Sequence, residues 1–127
     1  FAKPPPKSLD RNAFAHRIVG NVPTEDGAAT LTAFTARAIA RAADFVSEAP
    51  VLWIVCGGGA KNPELLRLLA HHTRAEVRTG EEVGWSSEFL EAQAFGFLAV
   101  RTMKGLPLTY PSTTGVREPQ TGGVLVP

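Results

Sequence analysis

Three consecutive glycines, Gly57-Gly58-Gly59, precede Asn62-Pro63-Glu64, and this stretch is where the chain's residue types and spacing point to chemistry. Glycine has no Cβ to hold a ligand away, and it accepts the backbone of a sharp turn. Asparagine is a good helix N-cap and proline suits the first helical position, so a helix opens at Asn62. The free N–H groups and positive dipole end of that helix would face the glycine turn, a place for a nucleotide or another anion. An ordinary strand-to-helix turn, glycine-rich for packing, is the other reading of these residues. The single cysteine, Cys56, lies just before the glycines and reads as a small buried hydrophobe. It cannot form an internal disulfide, which suits a reducing compartment.

The elements around this stretch follow from periodicity. Val51–Cys56 is apolar without alternation, which predicts a strand buried on both faces. After Asn62, Leu65, Leu66, Leu68 and Leu69 predict a helix packed on the sheet, closed by His71-His72. Histidines there read as favourable contacts with the helix C-terminus rather than as metal ligands. Ala75–Arg78 is predicted as a second strand, and the order strand–helix–strand implies a parallel pair. Upstream, Leu31, Phe34, Ala38, Phe45 and Val46 recur at helical spacing and predict a helix over 28–47, capped by Thr24 or Asp26. Downstream, Ser86 or Ser87 would cap a helix over 88–104 that is apolar nearly all round, the pattern of a helix buried among other elements. Gly105 fits its C′ position and Pro107 stops it. Residues 1–23 are proline-marked and irregular, with a short helix expected after Ser8 or Asp10 through Ala13, Phe14 and Arg17; residues 105–127 form a Gly/Pro/Ser/Thr-rich tail.

Bulk properties narrow the class. The 127 residues make one domain or part of a larger one, long enough to bury a core. Thirteen basic and twelve acidic residues are interspersed, for a net charge of +1. With no polybasic stripe, nucleic acid and anionic membrane are poor partners. No stretch reaches the ~18 apolar residues of a membrane helix, and no signal peptide is expected. The start at Phe1 reads as the interior of a longer protein.

Cys56-Gly57-Gly58-Gly59-Ala60-Lys61-Asn62-Pro63 resembles the corresponding motif of the bacterial anhydro-N-acetylmuramic acid kinases. So, in the same order, do Lys3-Pro4-Pro5-Pro6-Lys7-Ser8, Ala29–Ala36, Glu91-Ala92-Gln93-Ala94-Phe95-Gly96-Phe97-Leu98-Ala99, Tyr110–Gly115 and Gly122–Pro127. The resemblance spans essentially the whole chain. It implies the α/β, actin-like (ribonuclease H-like) fold of the hexokinase and sugar-kinase group, of which this chain would be the C-terminal third: residues 1–23 a lead-in, 24–104 the nucleotide-side core and 105–127 the tail. It implies a cytoplasmic enzyme of peptidoglycan recycling that uses ATP, Mg2+ and water to open the 1,6-anhydro ring and phosphorylate the sugar. A homodimer is implied as well. The family's phosphate loop and its catalytic aspartate have no counterpart here, since none of Asp10, Asp26 and Asp44 sits in a matching motif; the chain alone is therefore expected to be inactive.

By the same resemblance Gly57, Gly58 and Gly59 form the adenosine-side loop, and Asn62 caps the helix with a contact to ribose or base as the alternative. Glu82, Glu88 and Glu91 are the nearest acids. Glu91, in an otherwise apolar stretch, needs a partner or a water-lined face; it would orient substrate or a magnesium-bound water, or make a structural hydrogen bond. Glu88 reads as a first-turn dipole residue, Trp85 as packing. Lys3 and Lys7 read as solvated, with phosphate as the lesser alternative. Two competing classes are a dinucleotide-binding oxidoreductase, disfavoured because the glycines lack the G-x-G-x-x-G spacing and no acid ends the second strand, and a non-catalytic interaction module.

Overall fold

The computed structural model describes residues 4, 6, 7, 13, 14 and 19–126. The short helix expected after Ser8 or Asp10 lies mostly outside them, as do Lys3 and Asp10. The elements run α1 (Thr24–Ala40), β1 (Leu52–Val55), α2 (Pro63–Thr73), β2 (Glu76–Thr79), α3 (Leu90–Met103) and α4 (Pro111–Thr114). β1 and β2 pair in parallel, with Leu52 opposite Glu76 and Val55 opposite Thr79. The expected strand–helix–strand unit is therefore present, and the arrangement is α/β.

α1 starts earlier than the apolar spacing suggests. Pro23 occupies the N-cap and its carbonyl accepts from Gly27 N at 2.9 Å; no side chain caps the helix, and Glu25 and Asp26 instead meet the dipole from the first turn. The helix also ends earlier, at Ala40, tightening into a 3-10 turn over Arg41–Phe45. Side chains at i and i+3 eclipse in such a turn, which suits the Arg41–Asp44 ion pair at 3.0 Å. Val46 is already extended and exposed.

α1 packs chiefly on α2, and the buried apolar residues lie there: Ala36 on α1, Leu65 and Leu69 on α2. Asn62 Oδ1 accepts from Leu65 N at 3.1 Å and Pro63 takes the first helical position, as the sequence predicts. At the other end Arg74 adopts the left-handed conformation (φ 54°) and returns its N–H to Ala70 O at 2.9 Å. The sheet is less buried than expected. Among the described residues it has two strands, and α2 is the only helix in extensive contact with it, so Trp53, Ile54 and Val55 are half-buried and Leu52 is exposed.

α3 departs most from expectation. Neither serine caps it: Phe89 holds the N-cap position, while Ser87 N and Oγ both donate to the Glu81 carboxylate, at 3.1 and 2.7 Å. No residue of α3 is buried. Phe95 is 64% exposed, Phe97 62% and Met103 66%. The apolar circumference thus lies bare, because among the described residues no other helix or strand packs on it extensively. Gly105 (φ +63°) ends the helix as predicted, and Leu106 N donates to Arg101 O at 2.9 Å. The tail is more ordered than expected. Arg101 ties it back through Nε to Pro107 O (2.7 Å) and through Nη2 to Tyr110 Oη (2.8 Å); α4 follows, and Thr109 bridges Gln120.

Candidate functional site

A cleft of about 590 Å³ opens beyond the carboxyl ends of the two strands, where open α/β sheets bind ligands. One wall is the segment leaving β1: Cys56, Gly57, Gly58 and Lys61. Gly57 takes φ +75°, which a side chain would resist, and the chain then turns through a 3-10 segment over Gly58–Lys61. A Cβ added at Gly57 or Gly58 would meet nothing within 4 Å. Both glycines line the cleft and have open space where a side chain would stand. The opposite wall is the start of α3 and the turn before it: Ser87, Glu88, Leu90, Glu91 and Ala94.

Gly80, just after β2, lets the walls meet. It is buried, its N–H donates to Val55 O at 3.0 Å, and a Cβ there would lie 2.7 Å from Ser87 Oγ and 3.0 Å from Cys56 Sγ. Glu81 fixes the same junction through Ser87. That hydrogen bond, then its backbone bonds and the nearby Lys61 ammonium, hold the Glu81 carboxyl below the ordinary glutamate range. A second tie crosses the mouth: Lys61 Nζ lies 2.7 Å from Glu88 Oε1, both side chains largely exposed. The hydrogen bond to Glu88 and its charge raise the Lys61 pKa.

The structure brings Gly57, Gly58, Glu88 and Glu91 together at the cleft, and leaves Gly59 and Asn62 off its lining. Gly59 sits against α2, where its Cβ would be 3.4 Å from Leu65 Cδ2, and Asn62 spends its side-chain oxygen on the cap. Glu91 is exposed and has no hydrogen bond or ion pair among the described residues, so it faces solvent in the cleft. Glu88 precedes the helix rather than forming its first turn. Glu82 turns away from the cleft: its carboxylate accepts Thr79 N at 2.6 Å while its own N–H donates to Thr79 Oγ1, and the first of these bonds holds its pKa down. Lys7 stands 3.8 Å from the centroid of the Phe45 ring. Cys56 is half-buried and free rather than fully enclosed, and Trp85 is about half exposed.

Glu81, Lys61 and Ser87 escape sequence reasoning. Lys61 lies inside the glycine motif and could have been found there; the pairing of Glu81 with Ser87 follows no local period. His71 and His72 stack edge to face at 5.2 Å. Partial burial, then His71 and Arg37, pull the His72 pKa down. No group of three His, Cys, Asp or Glu is placed to hold a metal ion among the described residues. The acids just past β2, Glu81 and Glu82, are committed to Ser87 and Thr79, so neither is free for the ribose contact of a dinucleotide site. No helix among the described residues is long and apolar enough to cross a membrane.

The family model described as anhydro-N-acetylmuramic acid kinase matches residues 1–127. The chain is 69% identical to the anhydro-N-acetylmuramic acid kinase of Methylobacterium nodulans over 98% of its own length and 33% of that protein's. It is 62% identical to that of Methylorubrum populi (95% and 32%) and 51% identical to that of Rhodospirillum rubrum (100% and 34%). The chain thus spans about a third of the length of these relatives. The family model's match over the whole chain, with relatives up to 69% identical to it, places the chain in the anhydro-N-acetylmuramic acid kinase family.

Proposed function

We propose that this chain is the C-terminal, adenosine-side part of an ATP-dependent sugar kinase with an actin-like (ribonuclease H-like) fold. The whole protein would act in the cytoplasm, in peptidoglycan recycling. It would add water across the 1,6-anhydro bond of anhydro-N-acetylmuramic acid and move the γ-phosphoryl of ATP to the 6-oxygen, giving N-acetylmuramic acid 6-phosphate and ADP. The observation that carries this reading is the open space over Gly57 and Gly58 in a cleft at the strand ends. A ribose or base can lie against the backbone there, and the two-glycine wall holds it in place. Phosphoryl transfer depends mostly on positioning and charge stabilisation, so a rigid nucleotide wall contributes directly. Gly59 and Asn62 serve it indirectly, by setting the turn and the cap. Magnesium would reach the site on the nucleotide's phosphates; the described residues supply no ligand cluster of their own.

Glu91, solvent-facing in the cleft, supports the reaction by orienting substrate. Glu91→Gln in the whole protein should lower kcat several-fold with little change in the KM for ATP; equal turnover would make it a structural residue. The reading itself is tested by incubating the whole protein with Mg-ATP and 1,6-anhydro-N-acetylmuramic acid and weighing the product. A gain of one phosphate and one water is expected. The bare apolar face of α3 favours a second reading, a non-catalytic nucleotide-binding or interaction module; a folded whole protein that yields no product would support it. A homodimer belongs to the first reading and is checked by light scattering of the whole protein.

A further inference from the structure

We propose that Lys61 and Glu88 form an exchangeable latch across the cleft: Lys61, paired with Glu88 in this structure, passes to the phosphate oxygens of a bound nucleotide. The inference rests on the nucleotide reading of the cleft and adds to it a residue for the anionic half of the ligand. Lys61 and Glu88 come from opposite walls, one ending the turn that Gly58 begins, the other preceding α3, and they meet at 2.7 Å. Among the described residues that line the cleft, Lys61 is the one cation, set against two carboxylates, Glu88 and Glu91. A phosphate entering here meets net negative charge as long as Lys61 remains with Glu88. Once Lys61 turns, the same phosphate gains a charge-assisted contact.

The exchange is physically easy. Both side chains are mostly in water, 70% and 64% exposed, and such pairs are weak. Lysine carries its charge on a flexible four-carbon stem, so the ammonium can move without the backbone following. Lys61 shares its turn with Gly58, so a ligand seated on the glycines is within that stem's sweep. Glu81 also attracts the ammonium, more weakly than Glu88, and keeps it near the cleft after release.

The experiment measures binding of adenosine and of ADP to the whole protein by calorimetry, for wild type, Lys61→Met, Glu88→Gln and the double variant. Lys61→Met should weaken ADP about tenfold and leave adenosine unchanged, because only the phosphates lose a partner. Glu88→Gln should tighten ADP about two- to fivefold, the range expected from removing a weak exposed competitor. In the Lys61→Met background Glu88→Gln should have no further effect. If it tightens ADP equally there, Glu88 acts by simple repulsion and the latch is wrong. ADP binding unchanged in Lys61→Met also overturns the latch while leaving the nucleotide site standing. Failure of wild type to bind either ligand overturns both. Because both positions are exposed, the melting temperature of each variant should match wild type; Lys61→Gln provides a second lysine variant.

Discussion

Gly58 shows how a single residue can be argued into a role. It lines the cleft, and a Cβ added there would touch nothing within 4 Å, so packing does not explain the glycine and ligand access is the role proposed for it. Gly58→Val should keep the fold, read by circular dichroism, and weaken ATP binding about tenfold or more; unchanged affinity would detach the loop from the nucleotide. The titratable side chains give a second expectation. Partial burial lowers the His72 pKa, and hydrogen bonds to Arg67, Ser87 and the Thr79 backbone respectively lower those of Glu64, Glu81 and Glu82. A lowered folded-state pKa means the unfolded chain binds protons first as the pH drops, so stability is lost as pH falls. Loss begins below the ordinary histidine value of about 6.5 and resumes below the ordinary glutamate value of about 4.5. Melting temperatures measured from pH 8 to pH 3 should decline in those two windows. His72→Gln should flatten the first, and Glu81→Gln should shrink the second.

At the scale of elements, the α1–α2 contact holds the chain together. Leu69 is the largest fully buried side chain among the described residues, at 1% exposure. Leu69→Ala should cost about 2–5 kcal/mol, as a core leucine truncation does, measured by urea unfolding. Much of this level was legible in the sequence. Asn62 and Pro63 mark the start of α2 through local backbone chemistry, β1 follows from its unbroken apolar run, and its parallel pairing with β2 from the strand–helix–strand order. Three features were not legible, each for a physical reason. The start of α1 depends on Pro23 and the first-turn acids rather than on a side-chain cap. Its end tightens into a 3-10 turn that carries an i,i+3 ion pair, a change of pitch that apolar spacing does not signal. The start of α3 moved because Ser87, a good cap by type, is held by Glu81 six residues back, a tertiary contact with no sequence period. Glu81 escaped the site reading for the same reason, whereas the glycines were found because their backbone chemistry is local.

Across the whole molecule, α3 is the anomaly: a fourteen-residue helix, apolar nearly all round, whose aromatic side chains face water. Sequence periodicity gives the apolar character of a helix but not its partner, and the partner is not among the elements described. The 127-residue chain on its own should therefore bind an apolar dye and self-associate, and Phe95→Lys with Phe97→Lys should reduce both effects in dye titration and light scattering. Equal association in the double variant would place the sticky surface elsewhere. The two-stranded sheet raises a separate matter. Among the described residues each strand is bonded to one neighbour only, so the outer rows of amide and carbonyl groups on β1 and β2 lack strand partners. Main-chain groups in that arrangement can template any passing extended segment whatever its side chains. Mutating the α3 aromatics would leave this route to ordered, fibril-like growth open, and guarding against it takes an outward charge or a proline on the strand itself.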